Sequence, residues 1–154
     1  VGYTEFQDPL TPEGKPLASK KTGMIKFYND CTGSCWNGIW GVPGSLSHTT
    51  GCISAATGWD FTGEEALKVG ERVMNLERVC NVRNGLTRES DFDIGARLLQ
   101  PPTEGRAKGM SIAPYLQGMI DEYYDYMGWD IKSGKPYRET LERLGLDEYV
   151  DSIW

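Results

Sequence analysis

Thr62-Gly63-Glu64-Glu65-Ala66-Leu67-Lys68-Val69-Gly70-Glu71-Arg72-Val73-Met74-Asn75-Leu76-Glu77-Arg78-Val79-Cys80 is the stretch that decides the fold. A threonine followed three residues later by glutamate is the pattern of a helix-opening capping box. Behind it Ala66, Val69, Val73, Leu76 and Cys80 recur at alternating three- and four-residue steps, which lines one helical face for burial. Gly85 supplies the stop. On this reading Cys80 is a core residue. Glu64, Glu65, Glu71 and Glu77 form a solvated or ion-paired face, and Arg72 and Arg78 pair with neighbours or with another domain.

Helical character extends outward in both directions. Ser47 to Thr57 reads as a short helix ended by Gly58, with His48 as a polar helix-start residue. Pro114 suits the first turn of a second strong helix, along which Leu116, Met119, Ile120, Tyr123, Tyr124 and Met127 keep the helical period until Gly128. Tyr137 to Leu144 and Asp147 to Trp154 follow as short helices separated by Gly145, whereas Leu86 to Gly109, with Pro101-Pro102, is an irregular crossing. Strand-like alternation is nearly absent. The expected fold is all-α with long irregular loops: residues 1–23 an extended segment in which Pro9, Pro12 and Pro16 break any helix, residues 24–154 a helical domain, with a division into two lobes near residue 58.

Composition narrows the function classes. The 154 residues are 39% apolar and 25% charged, which suits one ordinary core. The net charge of −6, with no basic run longer than Lys20-Lys21, argues against nucleic acid as a partner. No apolar run approaches the roughly 20 residues of a membrane span. Val1–Leu10 has neither a basic start nor an apolar stretch, so no signal peptide is expected, and a chain that does not begin with methionine reads as a mature product or a piece of a longer polypeptide. The four cysteines at 31, 35, 52 and 80 are irregularly spaced, which favours a reducing cytoplasm over a disulfide framework.

Chemistry concentrates in Asp30-Cys31-Thr32-Gly33-Ser34-Cys35. A thiolate is a soft ligand for iron–sulfur clusters or zinc, a glycine lets backbone approach a ligand closely, and a carboxylate accepts hydrogen bonds from a polar cofactor. The bland alternative is an Asx-type turn followed by a buried cysteine. The apolar run Met24–Tyr28 before it anchors the turn, and Trp36–Gly44 after it reads as a glycine-rich loop whose tryptophans need a cover. Two other readings stay open: a non-catalytic helical binding module with four buried cysteines, and a small metal site of Cys31, Cys35, Cys52 and His48.

Several ordered stretches carry a resemblance. Thr57-Gly58-Trp59-Asp60-Phe61-Thr62, Gly70-Glu71-Arg72, Asn75-Leu76-Glu77-Arg78, Asn81-Val82-Arg83-Asn84-Gly85 and Thr87-Arg88 resemble the C-terminal part of the aldehyde ferredoxin oxidoreductase family. So do Gly105-Arg106-Ala107-Lys108-Gly109, Asp121-Glu122-Tyr123-Tyr124, Gly128-Trp129-Asp130, Gly134-Lys135-Pro136 and Leu144-Gly145-Leu146, the whole covering residues 24 to 147. The resemblance implies a tungsten or molybdenum bis-pterin oxidoreductase with one four-iron, four-sulfur (4Fe-4S) cluster. The family's D-x-x-G-L-C motif maps onto Asp30 and Gly33 as pterin contacts and Cys35 as the last cluster ligand, with Ser34 in place of the leucine. The other three cluster cysteines belong to a C-x-x-C-x-x-x-C motif that these residues do not contain, so an upstream domain of the same polypeptide is the implied partner and the fragment alone is expected to be inactive. Catalytic residues are not identified. The implied activity is oxidation of an aldehyde to a carboxylic acid with ferredoxin or another electron carrier as acceptor; the alternative in the same family is reduction of an aromatic acyl-CoA such as benzoyl-CoA.

Overall fold

The computed structural model describes residues 8–39 and 42–154. Seven α-helices are formed there: α1 (Lys15–Cys31), α2 (Trp36–Ile39), α3 (Ser45–Thr57), α4 (Gly63–Arg83), α5 (Ala96–Leu99), α6 (Leu116–Met127) and α7 (Arg138–Arg143). Two 3-10 turns, Arg88–Phe92 and Asp147–Ser152, complete the order. Among the described residues no strand forms, and a single antiparallel bridge joins Trp129 to Pro136. The fold class is all-α.

α4 starts as its sequence requires. The Glu65 amide donates to Thr62 Oγ1 at 3.2 Å and the Thr62 amide donates to Glu65 Oε2 at 2.7 Å, a reciprocal capping box. The helix is the spine of the molecule, because it touches three apolar clusters in succession. Ala66 packs with Tyr28 and Leu46; Met74 with Tyr124, Met127 and Trp129; Val79 with Leu141, Leu144, Leu146, Val150 and Ile153.

The buried face of α4 is rotated from the one its apolar residues define. Ala66, Gly70, Glu71, Met74, Asn75, Arg78 and Val79 are buried, whereas Val69, Val73 and Leu76 are only half-buried and Cys80 is exposed. Cys80 is therefore a surface residue and not part of the core. The rotation is possible because each polar group turned inward has a partner. Glu71 accepts from Arg143 Nη1 and Nη2, both at 3.0 Å, and pairs with Lys20 Nζ at 3.0 Å. Asn75 donates to the Glu71 carbonyl and accepts from Trp129 Nε1 at 2.8 Å. Burial pushes the Glu71 carboxyl up, but hydrogen bonds and charge from Arg143 and Lys20 outweigh it and leave the group below its ordinary value.

The segment before residue 24 also differs from expectation. Lys15–Gly23 is helical, since Pro16 occupies the first turn of α1, where a missing N–H costs nothing and the fixed φ is already helical. The extended reading is thus corrected for residues 15–23; residues 8–14 are coil and turns, and residues 1–7 lie outside the described residues. Met24–Tyr28 belongs to the same helix. α1 crosses α4 at closest range where Gly70 faces the Met24 backbone: a Cβ added at Gly70 would lie 1.9 Å from the Met24 carbonyl oxygen. The Trp36–Gly44 loop contains the short helix α2, while Trp40 and Gly41 of that loop lie outside the described residues.

Candidate functional site at the end of helix α1

The Asp30–Cys35 stretch is the C-terminal stop of α1. The Ser34 amide donates to the Asn29 carbonyl at 3.1 Å and the Gly33 amide donates to the Asp30 carbonyl at 3.1 Å, the paired bonds of a Schellman motif. Gly33 has φ +72, which its position in that motif requires and which a side chain would oppose. Apart from Gly33 and its two chain neighbours, no atom of the described residues lies within 4 Å of where its Cβ would be, so the face of the turn at Gly33 is open. The pattern is accordingly a helix cap, and Asp30 lies in the last turn of α1 instead of closing an Asx turn.

Asp30 and Cys35 are both exposed. The Asp30 carboxylate pairs with Lys26 one turn back, each side chain being about two-fifths exposed. An acidic side chain in the last helical turn opposes the helix dipole, and lysine preceding an acid by four residues is the weaker orientation of that pair. Local stability therefore gains little from a carboxylate here. Cys35 is fixed on both sides, by the Ser34 amide bond before it and by its own carbonyl, which accepts from the Gly38 amide at 3.0 Å. The turn presents one carboxylate, one open backbone face and one thiol.

That donor set fits one corner of a cluster and one acceptor for a polar organic ring; a cluster with four thiolates needs three more than Cys35 supplies. Among the described residues no three His, Cys, Asp or Glu side chains gather as a metal-binding group. All four cysteines are free and exposed, which removes the reading in which they are simply buried. His48 is exposed in the first turn of α3.

A second polar cluster centres on Arg78, which the sequence marks only as an ion-pairing residue. Arg78 donates to Asp91 through both terminal nitrogens at 3.1 and 2.9 Å, to Tyr124 Oη at 2.8 Å and to the Gly134 carbonyl at 2.8 Å. Its guanidinium stacks 4.7 Å from the Trp129 ring centroid. A Cβ at Gly134 would lie 2.2 Å from Arg78 Nη2, so the glycine of Gly134-Lys135-Pro136 makes room for this arginine. The neighbouring Arg88 donates to Asp121 and to the Ile131 carbonyl, tying the first 3-10 turn to α6 and the loop after it. A cleft of about 350 Å³ opens beside the cluster, walled by Leu116, Met119, Ile120 and Tyr123. Burial, together with the hydrogen bond to Asp91, pushes the Tyr124 phenol up to about 12. The cluster is internally satisfied and acts as a tie between α4, α6 and the loops around them.

The long α4 spine and the exposed carboxylate and thiol at the α1 end belong to an all-α domain. Residues 2–146 match the family model described as aldehyde ferredoxin oxidoreductase, domains 2 and 3. The chain belongs to the aldehyde ferredoxin oxidoreductase family. It is 42% identical to a tungsten-containing aldehyde ferredoxin oxidoreductase of Pyrococcus furiosus and 39% identical to one of Thermococcus kodakarensis, in each case over 97% of this chain and 24% of the relative. The chain thus spans about a quarter of the length of the curated relatives it matches. Among solved structures, the active-site complex BamBC of benzoyl coenzyme A reductase in complex with 1,5-dienoyl-CoA shares the fold, with a TM-score of 0.69 and 23% identity over 98% of this chain and 22% of that one.

Proposed function

We propose that this chain is the helical C-terminal part of a tungsten- or molybdenum-pterin iron–sulfur oxidoreductase that oxidises an aldehyde to a carboxylic acid and passes the electrons to ferredoxin. The observation that carries the reading is the α1 end, where Asp30 and Cys35 stand exposed on one hydrogen-bonded turn, Asp30 in a position that the helix dipole disfavours. Cys35 would hold one iron of a 4Fe-4S cluster, Asp30 would accept hydrogen bonds from pterin N–H groups, and Gly33 would let the ring approach the backbone. When bound, the metal–pterin centre and the cluster supply the redox chemistry, and the protein supplies binding and orientation. The three remaining cluster thiolates and the substrate pocket would come from an upstream domain of the same polypeptide.

Reduction of an aromatic acyl-CoA is the second reading, supported by the fold shared with the benzoyl coenzyme A reductase complex. Asp30→Ala in the full-length protein tests the pterin assignment. Pterin and tungsten or molybdenum content should fall several-fold while the melting temperature stays within a few degrees, since exposed positions matter little to folding. Wild-type pterin content in that variant would refute the assignment. Parallel assays of the wild-type enzyme, aldehyde with ferredoxin against benzoyl-CoA with a reductant, separate the two activities.

A further inference from the structure

The turn that carries Cys35 is closed by hydroxyl groups where an apolar contact is usual. In a Schellman motif the residue three places before the helix cap commonly packs against the residue two places beyond it through apolar atoms. Those positions are Asn29 and Ser34 here, both polar. Asn29 is buried, only 2% exposed, and its side-chain oxygen finds no hydrogen bond, so that atom adds nothing to the closure. Thr32 supplies the closure. Its Oγ1 lies 2.8 Å from the Asn29 carbonyl oxygen, to which it donates, and 2.8 Å from Ser34 Oγ. The Asn29 carbonyl thereby gathers three donors, the Thr32 amide, the Thr32 hydroxyl and the Ser34 amide.

A hydroxyl carries one hydrogen, so Thr32 cannot donate to both neighbours at once. When it donates to the Asn29 carbonyl, the Ser34 hydroxyl can donate to Thr32 Oγ1 in turn, and the three residues form a continuous chain ending one residue before Cys35. We propose that Thr32 is a positioning residue for Cys35, with Ser34 as the second half of the lock: the pair sets how firmly the thiolate holds its iron. This rests on the reading of Cys35 as a cluster ligand. A ligand on a preorganised turn recaptures iron faster than one on a loosened turn, from which a chelator can compete it away.

The test uses the full-length protein, purified anaerobically with its cluster, in Thr32→Val, Thr32→Ser, Ser34→Ala and Cys35→Ser forms. Iron release to a chromogenic chelator is timed, and melting temperature is recorded alongside. Thr32→Val keeps the shape and loses the hydroxyl; its iron release should be at least tenfold faster, with a melting temperature within a few degrees of wild type. Thr32→Ser, which keeps the hydroxyl, should restore release to within about threefold. Ser34→Ala should fall between them, and carries the test if Thr32→Val does not fold. Release at the wild-type rate in the folded lock variants, with Cys35→Ser lacking its cluster, overturns the lock and leaves the ligand reading standing. Acceleration that only tracks a loss of melting temperature, unrescued by serine, also overturns it. A complete cluster in Cys35→Ser overturns the ligand reading itself.

Discussion

Gly70→Ala should destabilise the protein, although alanine is the better helix former. Gly70 lies inside α4, and its added Cβ would sit 1.9 Å from the Met24 carbonyl oxygen, 2.6 Å from the carbonyl carbon and 2.8 Å from Cα. All three are backbone atoms of α1, so no side chain can swing aside. Relief requires the two helices to part by about 1.5 Å, a gap that forfeits a quarter to a half or more of the dispersion energy at the seam. Overpacking of this kind costs about 3 kcal/mol, and the helix-propensity gain of alanine over glycine returns about 1 kcal/mol. The net expectation is a loss of about 2 kcal/mol. Gly51→Ala is the matched control: it lies within α3, with no atom of the described residues beyond its own helix turn within 4 Å of its added Cβ, and should gain up to about 1 kcal/mol. Urea unfolding followed by circular dichroism gives both values as midpoint shifts. Equal shifts of the same sign in the two variants would refute the claim that α1 and α4 are in backbone contact at Gly70.

Two further changes probe the interior. Tyr28 is 1% exposed and its hydroxyl is buried without a hydrogen-bond partner, so Tyr28→Phe should stabilise by about 1 kcal/mol; a loss instead would mean that the hydroxyl is satisfied. Glu71 is held below its ordinary value of 4.5, so its contribution is complete above that pH and is lost as the pH falls through the lower folded-state value. Glu71→Gln should cost about 2 kcal/mol at pH 7, discounted because Arg143 is half-exposed, and should flatten the decline of stability below about pH 4.5. An acid limb as steep as that of the wild type would show that Glu71 does not drive it.

Much of this architecture was legible in the sequence, and the failures have two causes: polar burial that depends on distant partners, and helix starts that local rules misplace. The Thr62 cap, the Gly58 and Gly128 stops and the course of α3 and α4 follow from local rules that tertiary structure did not override, whereas α6 begins only at Leu116, with Tyr115 as its cap and Pro114 in the turn before it instead of in its first turn. Periodicity misplaces the buried face of α4 because the rule weighs residue type. Glu71, Asn75 and Arg78 are polar, and only partners distant in sequence, such as Arg143, Trp129 and Asp91, make their burial possible. Cys80 followed the same error. Pro16 reads as a breaker from sequence, because its place in the first turn depends on where the helix begins. At the candidate site, residue types gave a thiol, a glycine and a carboxylate in one turn, but not the Schellman geometry, the Lys26 pairing or the hydroxyl closure by Thr32.

Everything proposed for the α1 end depends on Cys35 being the cysteine of this chain that binds the cluster. Iron and sulfide content of the anaerobically purified full-length protein decides it, comparing wild type with Cys35→Ser and Cys80→Ser. Both thiols are exposed, so neither substitution should disturb folding by more than about 0.5 kcal/mol. Cys80→Ser should retain the full cluster content and Cys35→Ser should lose it; full content in Cys35→Ser, or equal loss in both variants, would show that Cys35 is not the ligand.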